Sequence, residues 1–424
     1  MNKIHKLLPV LLLAFLLMSC KKGQIAQEIT KPETPRDTTQ VKPPAQGSKG
    51  RTIPLGTGSG NLIIDGTKLG LACDDVIKIK GGTYKSIDIK NINTGCNVTI
   101  QNDGLVEIAG NSDHIFLSKV SNLTISGKGT AGITYGFVSR DSPQHRSISV
   151  TGTVQNLTVQ NFAFKNIGDY VVYFNSGQIV YDGSASSYSN NVRFLNNSCS
   201  NTGSFLHLEG GVENGVIRGL IKKLEVAYLD FRNSNSGDAV LAENADDYNI
   251  HHNTVIDVNS ANNNHNGIFT MKGSGSFHHN LIRNHQGNAI RAWTRSFGTT
   301  PKEVLIYNNT VVNSRKYSGF EVQSFASMII GGKTTYSNVK VYNNICGKLN
   351  TSKDWVGVVV DVYSLEGGKC EVYNNTGFDF PAPNPKSYIV SQQANTVPVQ
   401  TNNKYFATAA EAGIPDINAL KIQN

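Results

Sequence analysis

The sequence has little charge, few cysteines and almost no tryptophan. Charged residues make up 17% of its 424 positions, and it contains 6 Cys, 4 Met and 2 Trp. So few charges exclude a charge-rich disordered chain, and six cysteines at this length exclude a small disulfide scaffold. Hydrophobic residues make up 39% of the sequence, which is enough for a large buried core.

The net charge of +8 is concentrated near the N-terminus. Residues 1–51 contain 9 Lys and Arg against 3 Asp and Glu, which is +6, and the remaining residues contain 30 against 28, which is +2. Proteins that bind nucleic acid carry a concentrated basic face on the folded domain. We therefore predict that nucleic acid is not a partner.

The first 20 residues have the pattern of an export signal. Lys3 and Lys6 precede an apolar run at residues 7–18, which is too short to span a bilayer and is followed by Ser19 and Cys20. This end resembles the lipobox of bacterial lipoproteins, which implies cleavage before Cys20 and a lipid on its sulfur. The predicted location is a membrane, reached through the lipid anchor alone, on the periplasmic side or at the cell surface. An ordinary signal peptide that ends in Cys is the alternative.

Residues 21–58 are predicted to form a flexible tether. The part up to Arg51 is rich in Thr, Gln and Lys and contains Pro32, Pro35, Pro43 and Pro44. Such a composition buries too little apolar surface to fold and favours an extended linker.

From Ser59 onward the sequence consists of short strand-like segments without a helical run between them. Polar and apolar residues alternate at residues 76–80, 86–90 and 97–101, and Gly, Asn and Asp separate these segments. We predict an all-β chain.

A repeated unit that ends in Asn predicts how the strands are arranged. Its last Asn stands at positions 197, 253, 280, 309, 344 and 375, and the longest step predicts two coils with a degenerate unit near Gly219. Upstream, Asn102, Gly127 and Asn161 extend the series. Stacked repeats of this length align like residues in columns, as in a parallel β-solenoid. We expect the Asn residues to form a ladder at corners that tolerate left-handed backbone. The inward column two places later is predicted to contain Ala163, Cys199, Val255, Ile282, Val311 and Cys346.

On these repeats the chain resembles the right-handed parallel β-helix proteins of the pectin-lyase-like superfamily, over about residues 60–380. The resemblance implies an architecture and leaves the reaction open. We predict a monomeric right-handed parallel β-helix over residues 59–380, with short terminal caps of which residues 381–424 form the second.

The cysteines are expected to be structural. Cys199 and Cys346 share the inward column and are predicted to be small core residues. Cys73 and Cys96 lie about one coil apart, so that they either form a disulfide in an oxidising compartment or remain reduced.

The histidine pairs 251–252 and 278–279 occupy the place that Tyr and Asn take in other repeats. Neighbouring residues of a strand project to opposite sides, so one pair cannot easily chelate one ion. We predict stacked imidazoles there and no metal site.

Strands that follow the variable loops predict a groove with charged and aromatic residues. Its inward residues are predicted to be Val240, Ile268, Ile290, Phe320 and Val360. A face of rings and cations suits an acidic polysaccharide, and a solvated face without a ligand is the alternative. The predicted substrate-binding residues are Trp293, Arg295, Tyr317, Glu321, Asp361 and Tyr363, with His265, His285 and Trp355 in neighbouring loops.

The same groove contains groups suited to β-elimination from a uronate. This reaction needs a base and a neutralised carboxylate, and Lys272, Arg291 and His265 or His285 offer these groups. Residues 268–272 and 289–291, with a Gln-Gly turn between them, resemble the chondroitinase B and alginate lyase family.

That resemblance implies specific roles. Lys272 would be the base, and Arg291 would assist at the carboxylate or in proton transfer. Where the family places acidic calcium ligands, this chain has His265, Asn266 and Gly267, so whether calcium is a cofactor stays open.

We therefore expect a polysaccharide-active protein, and favour a lyase acting on a uronate-containing glycan. Two alternatives remain. One is a glycoside hydrolase that uses Glu321 and Asp361 as its two carboxyl groups. The other is a non-catalytic, adhesive β-helix that binds glycan.

Overall fold

The computed structural model describes residues 50–259, 263–324, 328–330, 333–381, 387–393 and 395–423. The predicted signal segment, Cys20 and the tether as far as residue 49 lie outside the described residues. Within the described part, no helix is long and apolar enough to cross a membrane.

The regular elements of the described residues are almost all β-strands. The first are β1 (Thr52–Leu55), β2 (Ser59–Asp65), β3 (Val76–Ala109), β4 (Ile115–Ser126), β5 (Phe137–Ser142), β6 (Ile148–Thr151), β7 (Gln155–Gln160), β8 (Phe162–Ile167) and β9 (Val172–Asn175). Next are β10 (Ser189–Leu195), β11 (Ser198–Ser200), β12 (Leu206–Leu208), β13 (Gly211–Glu213), β14 (Val216–Arg218), β15 (Ile221–Ala227), β16 (Asp230–Ser234), β17 (Val240–His251), β18 (Thr254–Val258), β19 (Gly267–His278), β20 (Leu281–His285) and β21 (Asn288–Thr294).

The remaining strands are β22 (Lys302–Tyr307), β23 (Thr310–Ser314), β24 (Phe320–Gln323), β25 (Met328–Ile330), β26 (Lys333–Thr335), β27 (Ser337–Tyr342), β28 (Ile345–Gly347), β29 (Val360–Val362), β30 (Cys370–Tyr373), β31 (Thr376–Phe378), β32 (Val390–Gln392), β33 (Val399–Thr401) and β34 (Lys404–Phe406). A one-turn helix α1 (Gly66–Leu69) and 3-10 turns at Ala185–Ser187 and Ile417–Ala419 complete the elements.

These strands stack into coils with three parallel sheets. Sheet I includes β15, β22, β27 and β30 with the ends of β17 and β19; sheet II includes β16, β18, β20, β23 and β28. Sheet III includes β9, β12, β21, β24, β29 and β32 with the first parts of β17 and β19. The predicted parallel β-helix is confirmed, and parallel strands joined by a crossover wind right-handedly.

An asparagine ladder joins the coils at the corner between sheets I and II, as predicted. In every member except the last, Nδ2 donates to the Oδ1 of the Asn one coil further on at 2.9–3.0 Å, and the backbone N–H of the same residue donates to that oxygen as well. The ladder comprises Asn253, Asn280, Asn309, Asn344, Asn375 and Asn403. Because its members are buried or half-buried, these bonds fix the coil register.

The left-handed backbone lies one residue before the ladder rather than in it. His252, His279, Asn308 and Asn343 all have φ between 52 and 56°. Asn161 is different, because it takes the left-handed conformation itself, with φ 59°. Its coil is therefore shifted by one position.

Two details of the predicted columns are consequently wrong. Phe164, and not Ala163, pairs with Cys199 in the inward column, because of the shift at Asn161. In the coil between Asn197 and Asn253, the ladder position is occupied by Leu229 and does not lie near Gly219. Ser198 pairs with Asp230, so the residue before each of them, Asn197 and Leu229, occupies the same position. Buried Leu229 needs no hydrogen bond from its side chain.

The histidine pairs also differ from the prediction. The imidazole Nδ1 atoms of His251 and His252 lie 2.8 Å apart, and those of His278 and His279 lie 2.7 Å apart. The rings do not project to opposite sides, because the second residue of each pair has left-handed backbone. The two pairs stack with ring centroids 5.0 Å apart, so the predicted stacking is confirmed.

Parallel pairing extends beyond the predicted boundaries. Strand β1 already pairs with β3, and β33 and β34 pair with β30 and β31. Strands β33 and β34 therefore form part of a further coil. Beyond it the tail returns to sheet II, where Gln423 Nε2 donates to the carbonyl of Asn309 at 2.8 Å. Cys73 and Cys96 form a disulfide, with their Cα atoms 5.2 Å apart.

Candidate active site

One outward column of sheet III brings several predicted residues together. Thr270, Arg291, Glu321 and Asp361 are in register on β19, β21, β24 and β29. Earlier coils continue the column with Tyr173, His207 and Leu241, and Ser391 follows Asp361. We call these eight residues the site column.

The register of β19 differs by one residue from the prediction. Phe269, and not Ile268, pairs with Val240 and Ile290 and points into the core. Ile268 is buried as well, so that alternation alone does not distinguish the two. With Phe269 inward, Thr270 and Lys272 face outward.

Glu321 is the centre of a charged network. Its Oε1 accepts a hydrogen bond from Arg291 Nε at 3.0 Å, and its Oε2 lies 2.8 Å from His265 Nε2. Arg291 Nη1 also donates to the carbonyl of His265 at 2.9 Å, which ties the loop to the sheet. The Glu321 side chain is only 6% exposed, so the ion pair with Arg291 compensates the cost of burying its charge.

Asp361 lies one coil further on in a different environment. Burial raises its pKa to about 6, while a hydrogen bond from Gln393 Nε2 to Oδ2, at 2.6 Å, opposes that effect. The nearby Glu321 charge also raises the pKa. The other oxygen, Oδ1, is buried and accepts no hydrogen bond from the described residues. A protonated carboxyl group with an unused oxygen is a potential proton donor.

Lys272 lies beside the network and is engaged by two groups. Its Nζ is 2.5 Å from Glu243 Oε2 and 4.4 Å from the centre of the Trp293 ring. Arg291 Cζ lies 6.0 Å from the same ring. Trp293 is therefore flanked by two cations, and both of these cations are already paired with carboxylates.

Asp238 and Glu243 were missed by the sequence reasoning. Thr270 Oγ1 donates to Asp238 Oδ1 at 2.9 Å, and burial raises the pKa of Asp238 to about 6. Asp238 precedes β17 and Glu243 lies within it. Their position at a strand that was predicted to line the groove is the only sequence feature that could have identified them.

Three rings form a wall next to Glu321. His265 stacks on Tyr317 with centroids 4.1 Å apart, and Trp355 contacts both rings at 6.0 and 5.4 Å. Tyr317 is buried, whereas Trp355 is 49% exposed. These loop residues lie beside Glu321, and their roles in binding or catalysis stay predictions.

His285 is not part of this face. It pairs with Val258 and Ser314 in a fully buried column of sheet II, so its predicted place beside the groove is wrong. Burial lowers its pKa to about 4. The strand continues through position 285, and alternation turns that side chain inward.

Arg295 and Tyr363 lie at the margins of the site. Arg295 follows β21, and burial lowers its pKa, with the Glu243 carboxylate opposing that effect. Tyr363 follows β29 and is 39% exposed. Their roles in binding substrate stay predictions.

The face offers little for a metal ion. Within the described part of the chain, no group of three or more His, Cys, Asp and Glu is arranged to hold one. Calcium needs six or more oxygen ligands, and Glu321 is engaged by Arg291 and His265. The residues present do not fit a calcium site here.

No protein-family model matches the sequence, and a search of curated proteins finds no relative. Among solved structures, the A-module of a mannuronan C-5 epimerase from Azotobacter vinelandii is similar with a TM-score of 0.48 and 8% identity, over 78% of this chain and 87% of that chain.

Two further structures are similar over most of the chain. An α-1,3-glucanase from Streptomyces thermodiastaticus has a TM-score of 0.42 and 15% identity, over 90% of this chain and 72% of that chain. A mannuronic acid specific polysaccharide lyase from human gut microbiota has a TM-score of 0.41 and 11% identity, over 84% of this chain and 93% of that chain. Likeness at these identities and scores assigns no reaction.

Proposed function

We propose that the protein hydrolyses glycosidic bonds of a polysaccharide on the outer face of sheet III, with Asp361 as general acid and Glu321 as nucleophile. The observation that carries the proposal is the contrast between two carboxyl groups in register on neighbouring coils. Burial favours the protonated form of Asp361, whereas Glu321 accepts a hydrogen bond from the Arg291 guanidinium at 3.0 Å and lies 2.8 Å from His265 Nε2. Carboxyl groups whose environments differ in this way divide into acid and base roles.

Neighbouring strands place the backbones of in-register residues about 4.8 Å apart, so the side chains of Glu321 and Asp361 can act on one glycosidic bond. We propose the retaining form of the reaction, in which the two carboxyl groups lie about 5–5.5 Å apart.

In the first step, Glu321 attacks the anomeric carbon and Asp361 gives its proton to the leaving oxygen. In the second step, Asp361 takes a proton from the water that releases the sugar.

Elimination is the second candidate, and one observation favours it. Lys272 and Arg291 flank the Trp293 ring and could neutralise a uronate carboxylate bound there. A base, however, has to be without its proton, and the contacts of Lys272 with Glu243 and Trp293 are those of an ammonium group.

One assay separates these reactions. The purified protein is incubated with alginate, pectate, chondroitin and dextran, with and without calcium, while reducing ends and the ultraviolet absorbance of unsaturated uronate are measured. We expect new reducing ends without absorbance. Activity should fall as the pH rises above about 6, because Asp361 then loses its proton.

Variants test the assignment of residues. We expect Asp361→Asn and Glu321→Gln to lose at least about a hundredfold in rate. The matched control is Glu303→Gln, which changes a half-exposed carboxylate paired with Lys340 on sheet I and should leave the rate unchanged. Full activity in both site variants would overturn the assignment, absorbance would favour elimination, and binding without cleavage would favour the adhesive alternative.

We also propose that the β-helix is held at a membrane by a lipid on Cys20. The support is the sequence pattern around that residue. Such an anchor would keep the site near the cell that uses the products.

A further inference from the structure

A second group of polar and aromatic side chains lies on sheet III, in earlier coils than the candidate active site. The guanidinium of Arg146 lies 3.6 Å from the centre of the Tyr173 ring. Tyr170 is 5.7 Å from Tyr173 and 4.4 Å from His207, measured between ring centroids. We call Arg146, Tyr170, Tyr173 and His207 the aromatic patch.

The patch is aligned with the active site. Tyr173 and His207 belong to the site column, and His207 is separated from Glu321 by the coils of Leu241, Thr270 and Arg291. Four coil steps of about 4.8 Å give about 19 Å along the axis. A polymer lying along the sheet would cover both places.

The patch has hydrogen-bonding capacity that the protein does not use. Nδ1 of His207 is buried and has no hydrogen-bond partner among the described residues. Burial lowers the pKa of His207, so its imidazole is neutral and each ring nitrogen can act as donor or acceptor. A buried polar atom without a partner is costly. Nδ1 is covered by the protein, so a ligand hydroxyl group would bond to the other nitrogen of this half-buried ring.

A cavity of about 540 Å³ adjoins the patch. Its lining includes Asp169, Tyr170, Gly203, Ser204 and Ser236, which present hydroxyl, carboxylate and backbone groups. A concave site with a few polar groups beside aromatic rings is typical of carbohydrate and small-ligand pockets.

The patch has no surplus of positive charge. Arg146 Nε donates to Asp169 Oδ2 at 2.9 Å, so its cation is matched by a carboxylate. The patch therefore offers donors and acceptors without a surplus of positive charge, and these suit sugar hydroxyl groups better than a uronate carboxylate.

We propose that the aromatic patch binds an uncharged, hydroxyl-rich sugar residue of the same polysaccharide chain that is cleaved at Glu321. This inference rests on the proposed function and deepens it: the substrate is a long chain with several sugars between patch and cleaved bond, and the enzyme cuts within it.

Binding is measured without cleavage, so that the two proposals can fail separately. The Glu321→Gln protein is run in native gels that contain each polymer of the panel above, and retardation gives the affinity. Adding His207→Ala or Arg146→Gln should weaken binding of the retarding polymer about tenfold, as expected for one lost hydrogen-bonded contact. The control Tyr228→Ala changes an exposed ring away from sheet III and should leave the affinity unchanged.

Each outcome decides one point. Unchanged affinity in both patch variants, with melting temperatures equal to that of the parent, would overturn the inference, and so would a parent that none of the polymers retards. Loss of binding in a protein whose wild type cleaves nothing would reject the proposed hydrolysis and keep the patch. Arg146→Gln keeps a polar side chain, so the test survives if His207→Ala does not fold.

Discussion

Replacing Asp361 by Asn should stabilise the protein at neutral pH. The pKa of this carboxyl group is about 6 in the folded protein against an ordinary 3.8, mainly because of burial. Below pH 3.8 the group is protonated in both states. Between these values the folded state binds the proton more tightly, so the free energy of unfolding falls as the pH rises, and above about 6 the loss is complete.

The size of the effect follows from the same two values. Each pH unit between them is worth about 1.36 kcal/mol, so ionised Asp361 costs the folded state about 3 kcal/mol at pH 7. Asn has nearly the same shape and can keep the hydrogen bond from Gln393, but it carries no charge. The variant should therefore match the wild type near pH 3 and exceed it by up to about 3 kcal/mol at pH 7.

Urea unfolding followed by circular dichroism at several pH values measures this difference. Exposed Asp103→Asn is the matched control and should change the midpoint little at any pH. A variant that is destabilised equally at pH 4 and pH 7 would refute the reasoning, because a packing defect does not titrate. A variant that is more stable but inactive would indicate that the buried acid is kept for chemistry.

Two further predictions concern the fold and its location. Asn309→Ala leaves Asn280 without its acceptor and Asn344 without a donor, so we expect the free energy of unfolding in urea to fall by about 3 kcal/mol or more. The control Asn403→Ala, at the half-buried end of the ladder, should lower it less. Equal losses in the two variants would contradict the ladder argument. Labelling cells with a fatty acid should mark the wild type and not Cys20→Ser, and equal labelling of both would reject the lipid anchor.

The sequence predicted the ladder because it repeats a side chain whose hydrogen-bonding needs are specific. Buried Asn needs both a donor and an acceptor partner, and a stacked copy supplies both. The left-handed residue before it could have been read from Asn308 and Asn343, since Asn tolerates that conformation. His252 and His279 hide the same signal, which explains the error about the direction of their rings.

The register of β19 could not be read from alternation. Ile268 and Phe269 are both apolar and both buried, and only pairing with the neighbouring coils shows which one enters the core. A shift of one residue exchanges the faces of all that follow. With Ile268 inward, alternation would turn Lys272 inward as well, so the predicted place of Lys272 in the groove agrees with the structure only because Phe269 enters the core.

The electrostatics of the site were even less accessible from sequence. The pKa of Asp361 depends on its burial and on a hydrogen bond from Gln393, which is 32 residues further along the chain. The pairing of Lys272 with Glu243 likewise depends on side-chain packing between coils. Composition and spacing report none of these distances.

The outward column of stacked rings on sheet I and the site column on sheet III differ in how they affect the stability of the fold. On sheet I, neighbouring coils repeat rings that stack at centroid distances of 4.7–5.0 Å, in the order His251, His278, Tyr307, Tyr342 and Tyr373. Repetition of this kind stabilises the stack by itself. The site column instead changes residue at nearly every coil and contains an acid that destabilises the folded state at neutral pH. Since coil stacking does not explain such a column, binding and chemistry on sheet III are the better explanation of its residues.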